Sequence, residues 1–81
     1  MTDQEILEKL TDIFRDILDD DNIVLTPETT AEDITDWDSA NHVNIVVSTE
    51  MRFKVRFSGA EVEHLKNVGD FVKLVQRKMG G

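Results

Sequence analysis

Seven apolar residues near the N-terminus recur every three or four positions, and this pattern constrains the fold more than any other feature of the chain. They are Ile6, Leu7, Leu10, Ile13, Phe14, Ile17 and Leu18. At about 100° per residue they occupy one stripe of roughly 140°, which is typical of an amphipathic helix packed on a core. Thr2 and Glu5 have the spacing of a capping box, which predicts the start of the helix. The pattern fades near Asp19-Asp20-Asp21-Asn22, so we expect the helix to end there.

A long loop is predicted from about Asp19 to Asp38, because no helical periodicity continues through it. Pro27 rules out a regular helix through the middle of this segment. We expect Val24, Leu25 and Ile34 to hold the loop against the core. Loops of this length in small domains are often functional.

The second helix is predicted from Ser39 to about Phe53, and its apolar residues form two stripes. The first stripe, which we expect to be buried, contains His42, Ile45, Val46, Thr49 and Phe53. The second stripe, which begins beside Ser39, contains Ala40, Val43, Val47 and Met51. A second apolar stripe is typical either of a partner-binding surface or of a helix packed on two neighbours. The sequence leaves both interpretations open.

Two further helices are predicted near the C-terminus. Ser58 and Glu61 form another capping box, which indicates a short helix carrying Val62 and Leu65. Asn67 is expected to cap a last helix whose inward residues are Val68, Phe71, Val72, Leu74, Val75 and Met79. Gly80-Gly81 is interpreted as a frayed helix end, because carriers that activate a C-terminal Gly-Gly have a strand-rich fold. We therefore predict a single all-α domain over residues 1–81, with three main helices, a short third helix and one long loop between helices 1 and 2.

Length and composition limit the possible functions. A chain of 81 residues has no room for a second lobe around a deep catalytic cleft, and without cysteine it has no thiolate nucleophile. The net charge is −8, so nucleic acid and anionic membranes are repelled on average, and a partner with a basic patch is favoured. No apolar run approaches membrane-spanning length, and the N-terminus lacks the regions of a signal peptide. We expect a cytoplasmic monomer without stable membrane insertion.

The charge is distributed unevenly along the chain. Residues 1–50 carry a net charge of −12, whereas residues 51–81 carry +4. The acidic part precedes and surrounds Ser39, and the basic part follows the second predicted helix.

Ser39 lies at a junction between a polar, turn-like segment, Thr35-Asp36-Trp37-Asp38, and the second predicted helix. At the start of a helix, backbone N–H groups have no intrahelical acceptor, and the positive end of the helix dipole is close. A phosphate on the Ser39 hydroxyl would be stabilised by both effects. An Asp-Ser pair before a helix is also a common cap without further function, so the pair alone does not decide between the two interpretations.

Other chemistry is weakly supported. A triad of Ser39, His42 and an aspartate lacks the strained Gly-x-Ser-x-Gly turn that activates such serines. The acidic run Asp19–Asn22 lacks the glycine and the terminal glutamate of a calcium loop. His42 and His64 do not have zinc-ligand spacing, and no cysteine assists them. We therefore predict neither an enzyme nor a metal site.

The chain resembles the acyl carrier proteins over nearly its whole length. The resemblance centres on Trp37-Asp38-Ser39-Ala40-Asn41-His42-Val43-Asn44-Ile45-Val46 and continues to Glu50 and Phe53. Phe57-Ser58-Gly59-Ala60-Glu61 and Leu65-Lys66-Asn67-Val68 stand where that family has its third helix and the start of its last helix. The resemblance implies that a phosphopantetheinyl transferase attaches 4′-phosphopantetheine to Ser39, with Asp38 helping to position the serine. It also implies that the arm holds acyl groups as thioesters.

The resemblance further implies that the second helix meets acyl-loading and acyl-transfer enzymes. Its expected partner-binding residues are Asp33, Asp36, Ala40, Val43, Val47 and Met51. The chain departs from the family at Ala40, where Leu or Met is usual, at the uncharged Asn41 and Asn44, and in the basic segment 52–56. These departures favour a dedicated carrier of a specialised acyl-transfer, lipid or polyketide-type pathway. An aminoacyl or D-alanyl carrier, or an unmodified acidic interaction module, remains an alternative.

Overall fold

Four helices make up the fold of the computed structural model, which describes residues 1–80. They are α1 (Asp3–Leu18), α2 (Ser39–Phe53), α3 (Gly59–Glu63) and α4 (Val68–Lys78). Residues 1–80 contain no strand, and the long connection between α1 and α2 spans residues 19–38. The predicted all-α architecture with a short third helix is therefore confirmed. Of the predicted frayed end, Gly80 has a positive φ of 76° and Gly81 lies outside the described residues.

The predicted capping box begins α1. The Glu5 N–H donates to the Thr2 hydroxyl at 3.2 Å, and the Thr2 N–H donates to the Glu5 carboxylate at 2.9 Å. The helix ends at Leu18, and its C-cap Asp19 adopts the left-handed conformation with φ 52°. The buried face contains Ile6, Leu10, Ile13, Phe14 and Leu18, while Leu7 and Ile17 pack at its edge. The first amphipathic pattern thus supplies one wall of the core.

The long loop contacts the core through residues that differ in part from those predicted. Leu25 is buried and Ile34 is partly buried against the core, as expected. Val24 is 70% exposed, so its predicted role as an anchor is wrong. Burial alternates along this segment, and Ile23 takes the place expected for Val24. The Ile23 carbonyl also accepts a hydrogen bond from Arg15 Nε at 2.8 Å, which ties the loop to α1.

The middle of the loop is attached to the start of α4. The Val68 N–H donates to the Thr29 carbonyl at 2.9 Å, and the Gly69 N–H donates to the Pro27 carbonyl at 2.8 Å. This close approach requires a glycine, because a Cβ on residue 69 would lie only 2.9 Å from the Pro27 oxygen. The loop is therefore held at both ends and in the middle.

The core lies where α1 packs against α2 and α4. The inward residues predicted for α4 are buried, namely Val68, Phe71, Val72, Leu74 and Val75. Met79 is 40% exposed because α4 ends at Lys78, so the expectation that Met79 faces inward is wrong.

Salt bridges connect the short helix α3 to the end of α4. Glu61 accepts the Ser58 N–H and pairs with Lys78 at 2.9 Å and with Arg77 at 3.7 Å. The hydrogen bond from Ser58, with the contact to Lys78, lowers the pKa of Glu61 to about 2. Val62 and Leu65 are only partly buried, which leaves apolar surface of this region facing the start of α2.

Candidate functional site

The start of α2 is defined by Asp38. Its backbone is extended, with φ −105° and ψ −175°, and its carboxylate accepts the Asn41 N–H at 2.9 Å. The Asp38 carbonyl accepts the His42 N–H at 2.8 Å. The Asn41 side chain also donates to the Asp36 carbonyl at 2.8 Å, which holds the preceding turn against the helix. Asp38 is thus the N-cap of α2, in the position predicted for it.

Ser39 is the first residue of α2, and it is exposed. The first N–H groups of a helix lack intrahelical acceptors. The Asp38 carboxylate accepts the N–H of Asn41, but it does not accept the N–H groups of Ser39 and Ala40. The first turn of α2 contains no acidic residue, in contrast to the first turns of α1, α3 and α4. An anionic group on the Ser39 hydroxyl would therefore meet N–H groups and the positive end of the helix dipole.

Trp37, directly before the cap, is buried rather than part of a purely polar turn. Its ring packs edge-on against Phe14, with the ring centroids 4.8 Å apart, and its Nε1–H donates to His42 Nδ1 at 2.9 Å. The contact between Trp37 and His42 was not predicted from the sequence. The sequence did contain a signal for it. Trp37 precedes the cap and His42 is the fourth residue of the helix, and residues at these two positions often pack together as a hydrophobic staple.

His42 is neutral in this arrangement. An indole N–H only donates, so Nδ1 of His42 must accept and its proton must reside on Nε2. Burial lowers the pKa of His42 below its ordinary value of 6.5, which also favours the neutral ring. Because Trp37 rather than a carboxylate occupies Nδ1, the structure does not assemble a triad with Ser39.

An open groove of about 510 Å³ lies beside Ser39, between the loop, the start of α2 and the region of α3. Its lining residues are Ala31, Trp37, Asp38, Ser39, His42, Val62, Glu63, Leu65 and Lys66. The groove is the feature that could shelter a small group attached at Ser39. Trp37 and His42 form part of its wall, so their hydrogen bond shapes it.

The second apolar stripe of α2 is exposed. Val43 is 60%, Val47 47% and Met51 75% exposed, and Ala40 is also open to solvent. The Asp36 carbonyl accepts a hydrogen bond from the Asn41 side chain, which holds Asp36 at the start of α2. Asp33 instead caps a turn of the loop, where its carboxylate accepts the Thr30 N–H at 3.0 Å. Asp33 and Asp36 line a separate groove next to Asp20, so the predicted partner residues lie in two neighbouring areas and not in one patch.

The described helices form neither a metal-binding cluster nor a membrane-spanning segment. Within residues 1–80, no group of three or more His, Cys, Asp or Glu side chains is arranged to hold a metal ion. In the acidic run after α1, the Asp20 carboxylate instead accepts the Asn22 N–H at 2.9 Å. None of the helices in the described part of the chain has the length and apolar character needed to cross a bilayer.

Comparison with known proteins identifies the family, although no family model matches the chain. The chain is 35% identical to the acyl carrier protein of Acidothermus cellulolyticus over 75 residues, which cover 93% of this chain and 89% of that protein. It is 31% identical to the acyl carrier protein of Thermotoga maritima, with 95% of each chain covered. A meromycolate extension acyl carrier protein of Mycolicibacterium smegmatis is 32% identical, with 94% of this chain and 77% of that protein covered.

A solved structure supports the same assignment. The solution structure of the holo acyl carrier protein of Geobacter metallireducens superimposes with a TM-score of 0.86 and is 51% identical in sequence. The match covers 91% of this chain and 85% of that one. The proteins that this chain matches are carriers rather than enzymes. The chain belongs to the acyl carrier protein family.

Proposed function

We propose that this protein carries acyl groups as thioesters on a 4′-phosphopantetheine arm attached to the Ser39 hydroxyl. The observation that carries the proposal is the position of Ser39: exposed, first in α2, directly after the Asp38 cap, and in a helix turn without acidic residues. When bound, the arm supplies a thiol, which this cysteine-free chain lacks. Membership of the acyl carrier protein family supports the same chemistry.

The residues around Ser39 are suited to hold such an arm. The N–H groups of Ser39 and Ala40 have no intrahelical acceptor and would stabilise the charge of a phosphodiester. Asp38 caps the start of the helix, where Ser39 is exposed to solvent. The groove next to Ser39 has an apolar wall formed by Trp37, Val62 and Leu65, against which the base of the arm or its cargo could pack.

We propose that the exposed face of α2 meets the enzymes that load and use the carrier, including a phosphopantetheinyl transferase. Val43, Val47 and Met51 form an apolar surface that starts one turn after Ser39 and is left uncovered by the fold. Ala40, Asn41 and Asn44 make its first half small and uncharged. These features support a dedicated carrier of one specialised pathway.

We also propose that residues 1–81 act as one carrier domain, as a cytoplasmic monomer that does not insert into membranes. The net charge of −8 supports this, because it disfavours self-association and adsorption to anionic lipid. Size-exclusion chromatography with light scattering over a hundredfold range of protein concentration tests the oligomeric state. A mass that rises with concentration would contradict the monomer.

Intact-mass spectrometry tests the attachment site. The purified protein is incubated with coenzyme A, magnesium and a broad-specificity phosphopantetheinyl transferase, and we expect the mass of one phosphopantetheine to be added. Ser39→Ala should gain no mass, whereas Ser58→Ala, which removes a serine at another helix start, should be modified like the wild type. Modification of Ser39→Ala, or none of the wild type, would contradict the proposal. The thioester mass on natively isolated protein then distinguishes acyl from aminoacyl cargo.

A further inference from the structure

The C-terminal end of α2 carries another groove, distinct from the one beside Ser39 and from the one lined by Asp33 and Asp36. It has a volume of about 440 Å³ and is lined by Val47, Glu50, Met51, Lys54, Val55 and Arg56. At 1.5 Å per residue, Met51 lies roughly 18 Å along the helix from Ser39. We call this feature the basic groove, because Lys54 and Arg56 are its exposed charged residues.

The positive charge of the basic groove is not neutralised by the fold. Within residues 1–80, neither Lys54 nor Arg56 forms a salt bridge. The lining also contains the carboxylate of Glu50, whose Oε2 accepts the Phe57 N–H at 2.9 Å, so two positive charges face one negative charge. Two cationic side chains therefore stand beside the exposed thioether of Met51 and the side chain of Val47.

The backbone of the basic groove is held in place. Lys54 adopts the left-handed conformation with φ 57° and closes α2 with a hydrogen bond to the Glu50 carbonyl. The Val55 N–H donates to the same carbonyl at 3.0 Å. Together with the bond from Phe57 to the Glu50 side chain, these contacts fix the segment that follows the helix. The groove is thus preformed, and binding would order little further backbone.

Arg52 does not belong to this groove, although it is adjacent in sequence. It lines a different groove, together with Asp12 and Asp16 of α1, where acidic neighbours reduce its electrostatic effect. At the opposite end of α2, Asp36 and Asp38 are exposed. The exposed face of α2 therefore has an acidic end at Ser39, an apolar middle and a basic end at Lys54 and Arg56.

We propose that the basic groove binds an acidic segment of a partner protein, in which an apolar side chain flanked by carboxylates packs against Val47 and Met51. The proposal rests on the proposed carrier function. It adds to that function the kind of surface that a cognate enzyme must present to the groove. Charge complementarity favours this occupant, because carboxylates can pair with Lys54 and Arg56 and leave neither charge unpaired when the groove is covered. An anionic membrane is an extended negative surface that would also face the exposed Asp36 and Asp38, whereas a short acidic segment contacts only the basic groove.

A titration followed by ¹H–¹⁵N NMR tests this proposal. The labelled protein is the Ser39→Ala variant, so that the result does not depend on the attachment of phosphopantetheine. The probe is a 15-residue helical peptide with leucines on one face bordered by glutamates, and the control peptide has lysines in place of the glutamates. We expect the glutamate peptide to shift the backbone amides of residues 47–57. The lysine peptide should leave these amides unchanged.

Matched substitutions test whether the charges of Lys54 and Arg56 account for the binding of the glutamate peptide. Adding Arg56→Glu should weaken binding of the glutamate peptide by about threefold or more, the range expected for reversing one exposed charge. Lys54→Gln should weaken it in the same direction. Lys73→Glu, which makes the same charge change at an exposed position on α4, should leave the affinity unchanged. Raising the salt concentration to 0.5 M should remove most of the difference, because exposed charges are then screened.

Three results would overturn the proposal. The glutamate peptide could shift amides elsewhere, the lysine peptide could bind the groove equally well, or Arg56→Glu and Lys73→Glu could have equal effects. Concentration-dependent shifts of residues 47–57 without peptide would instead identify a second copy of the chain as the occupant. Because the titration uses a protein that cannot be modified at position 39 and reads amide shifts rather than mass, failure of one test leaves the other intact.

Discussion

The two faces of α2 contain similar residues in different environments. Ile45 and Thr49 are fully buried, and the Thr49 hydroxyl donates to the Ile45 carbonyl at 2.7 Å. On the other face, Val43 and Met51 are more than half exposed. One face therefore joins the helix to the core, while the other leaves apolar surface in contact with water. Only one of the two apolar stripes of this helix contributes to the core, which leaves the other available for the partner contact proposed above.

The same helix also differs from end to end. Its N-terminal end combines Ser39 with exposed carboxylates, and its C-terminal end is followed by Lys54 and Arg56. The exposed apolar face connects these two ends. A partner that covers this face would meet charges of opposite sign at its two edges, which would fix its orientation on the carrier.

The largest expected effect is on the buried face. Ile45→Ala removes a fully buried side chain and should lower the free energy of unfolding by about 2–5 kcal/mol. Total stability for a domain of this size is of order 5 kcal/mol, so the variant could be largely unfolded. Urea unfolding followed by circular dichroism measures the loss. Val47→Ala, a truncation on the exposed face, is the control. An equal loss of stability in both variants would contradict the claim that only one face of α2 contributes to the core.

A second prediction concerns the rates at which general fatty-acid enzymes use this protein, which depend on the exposed face of α2. Ala40, Asn41 and Asn44 remove apolar and acidic contacts from the first half of the exposed face. Each exposed charge pair contributes only about 0–1 kcal/mol, so several together should lower the rate with a general fatty-acid acyltransferase or ketosynthase by about tenfold. The measurement compares this protein with a housekeeping carrier at matched concentration. Equal rates would contradict the assignment to a specialised pathway.

A third prediction concerns His42, which lies at the border between the two faces. Burial lowers its pKa in the folded protein, so below pH 6.5 the unfolded chain binds the proton more tightly than the folded one. Its contribution to stability is complete above that pH and is lost as the pH falls toward the lowered pKa. The thermal midpoint should therefore fall between pH 7.5 and 5.5 by more in the wild type than in His42→Gln.

His64→Gln is the control for this pH dependence. His64 is exposed and contacts the Ala60 carbonyl, far from Trp37 in the chain. The variant should keep the pH dependence of the wild type. A loss of pH dependence in His64→Gln, with none in His42→Gln, would show that the Trp37–His42 contact is not the titrating element.

Much of this architecture could be predicted because its signals are local. The capping pairs Thr2–Glu5 and Ser58–Glu61 mark helix starts that the structure confirms. The period of the apolar residues identified α1, and the position of Ser39 at the first residue of α2 followed from the polar segment before it. These features depend on contacts within a few residues, which is why a single sequence carries them.

The features that could not be predicted depend on contacts distant in sequence. Val24 was expected to be buried on its hydrophobicity alone, but whether it or Ile23 faces the core depends on the path of the loop. Trp37 looked like part of a turn because its neighbours are polar, while its packing partner Phe14 lies on α1. Periodicity also could not show whether the second stripe of α2 was covered. The number of neighbours around a helix is a tertiary property.

The smallest expected effect on stability belongs to the exposed face. Val47→Asp places a charge where the side chain is already 47% exposed. A surface substitution of this kind usually changes stability by no more than about 0.5 kcal/mol. The same change interrupts the apolar surface that runs from Ser39 into the basic groove, of which Val47 is part. It should therefore slow loading by the cognate acyl-transferring enzyme while leaving the fold intact.

The thermal unfolding midpoint of Val47→Asp, measured beside the wild type and Ile45→Ala, is the most direct test of the claim that α2 has one face for folding and one for partners. We predict a midpoint close to that of the wild type, together with reduced loading. A Val47→Asp protein that melts as early as Ile45→Ala would show that the second stripe is buried. The partner surface would then have to lie elsewhere on the molecule.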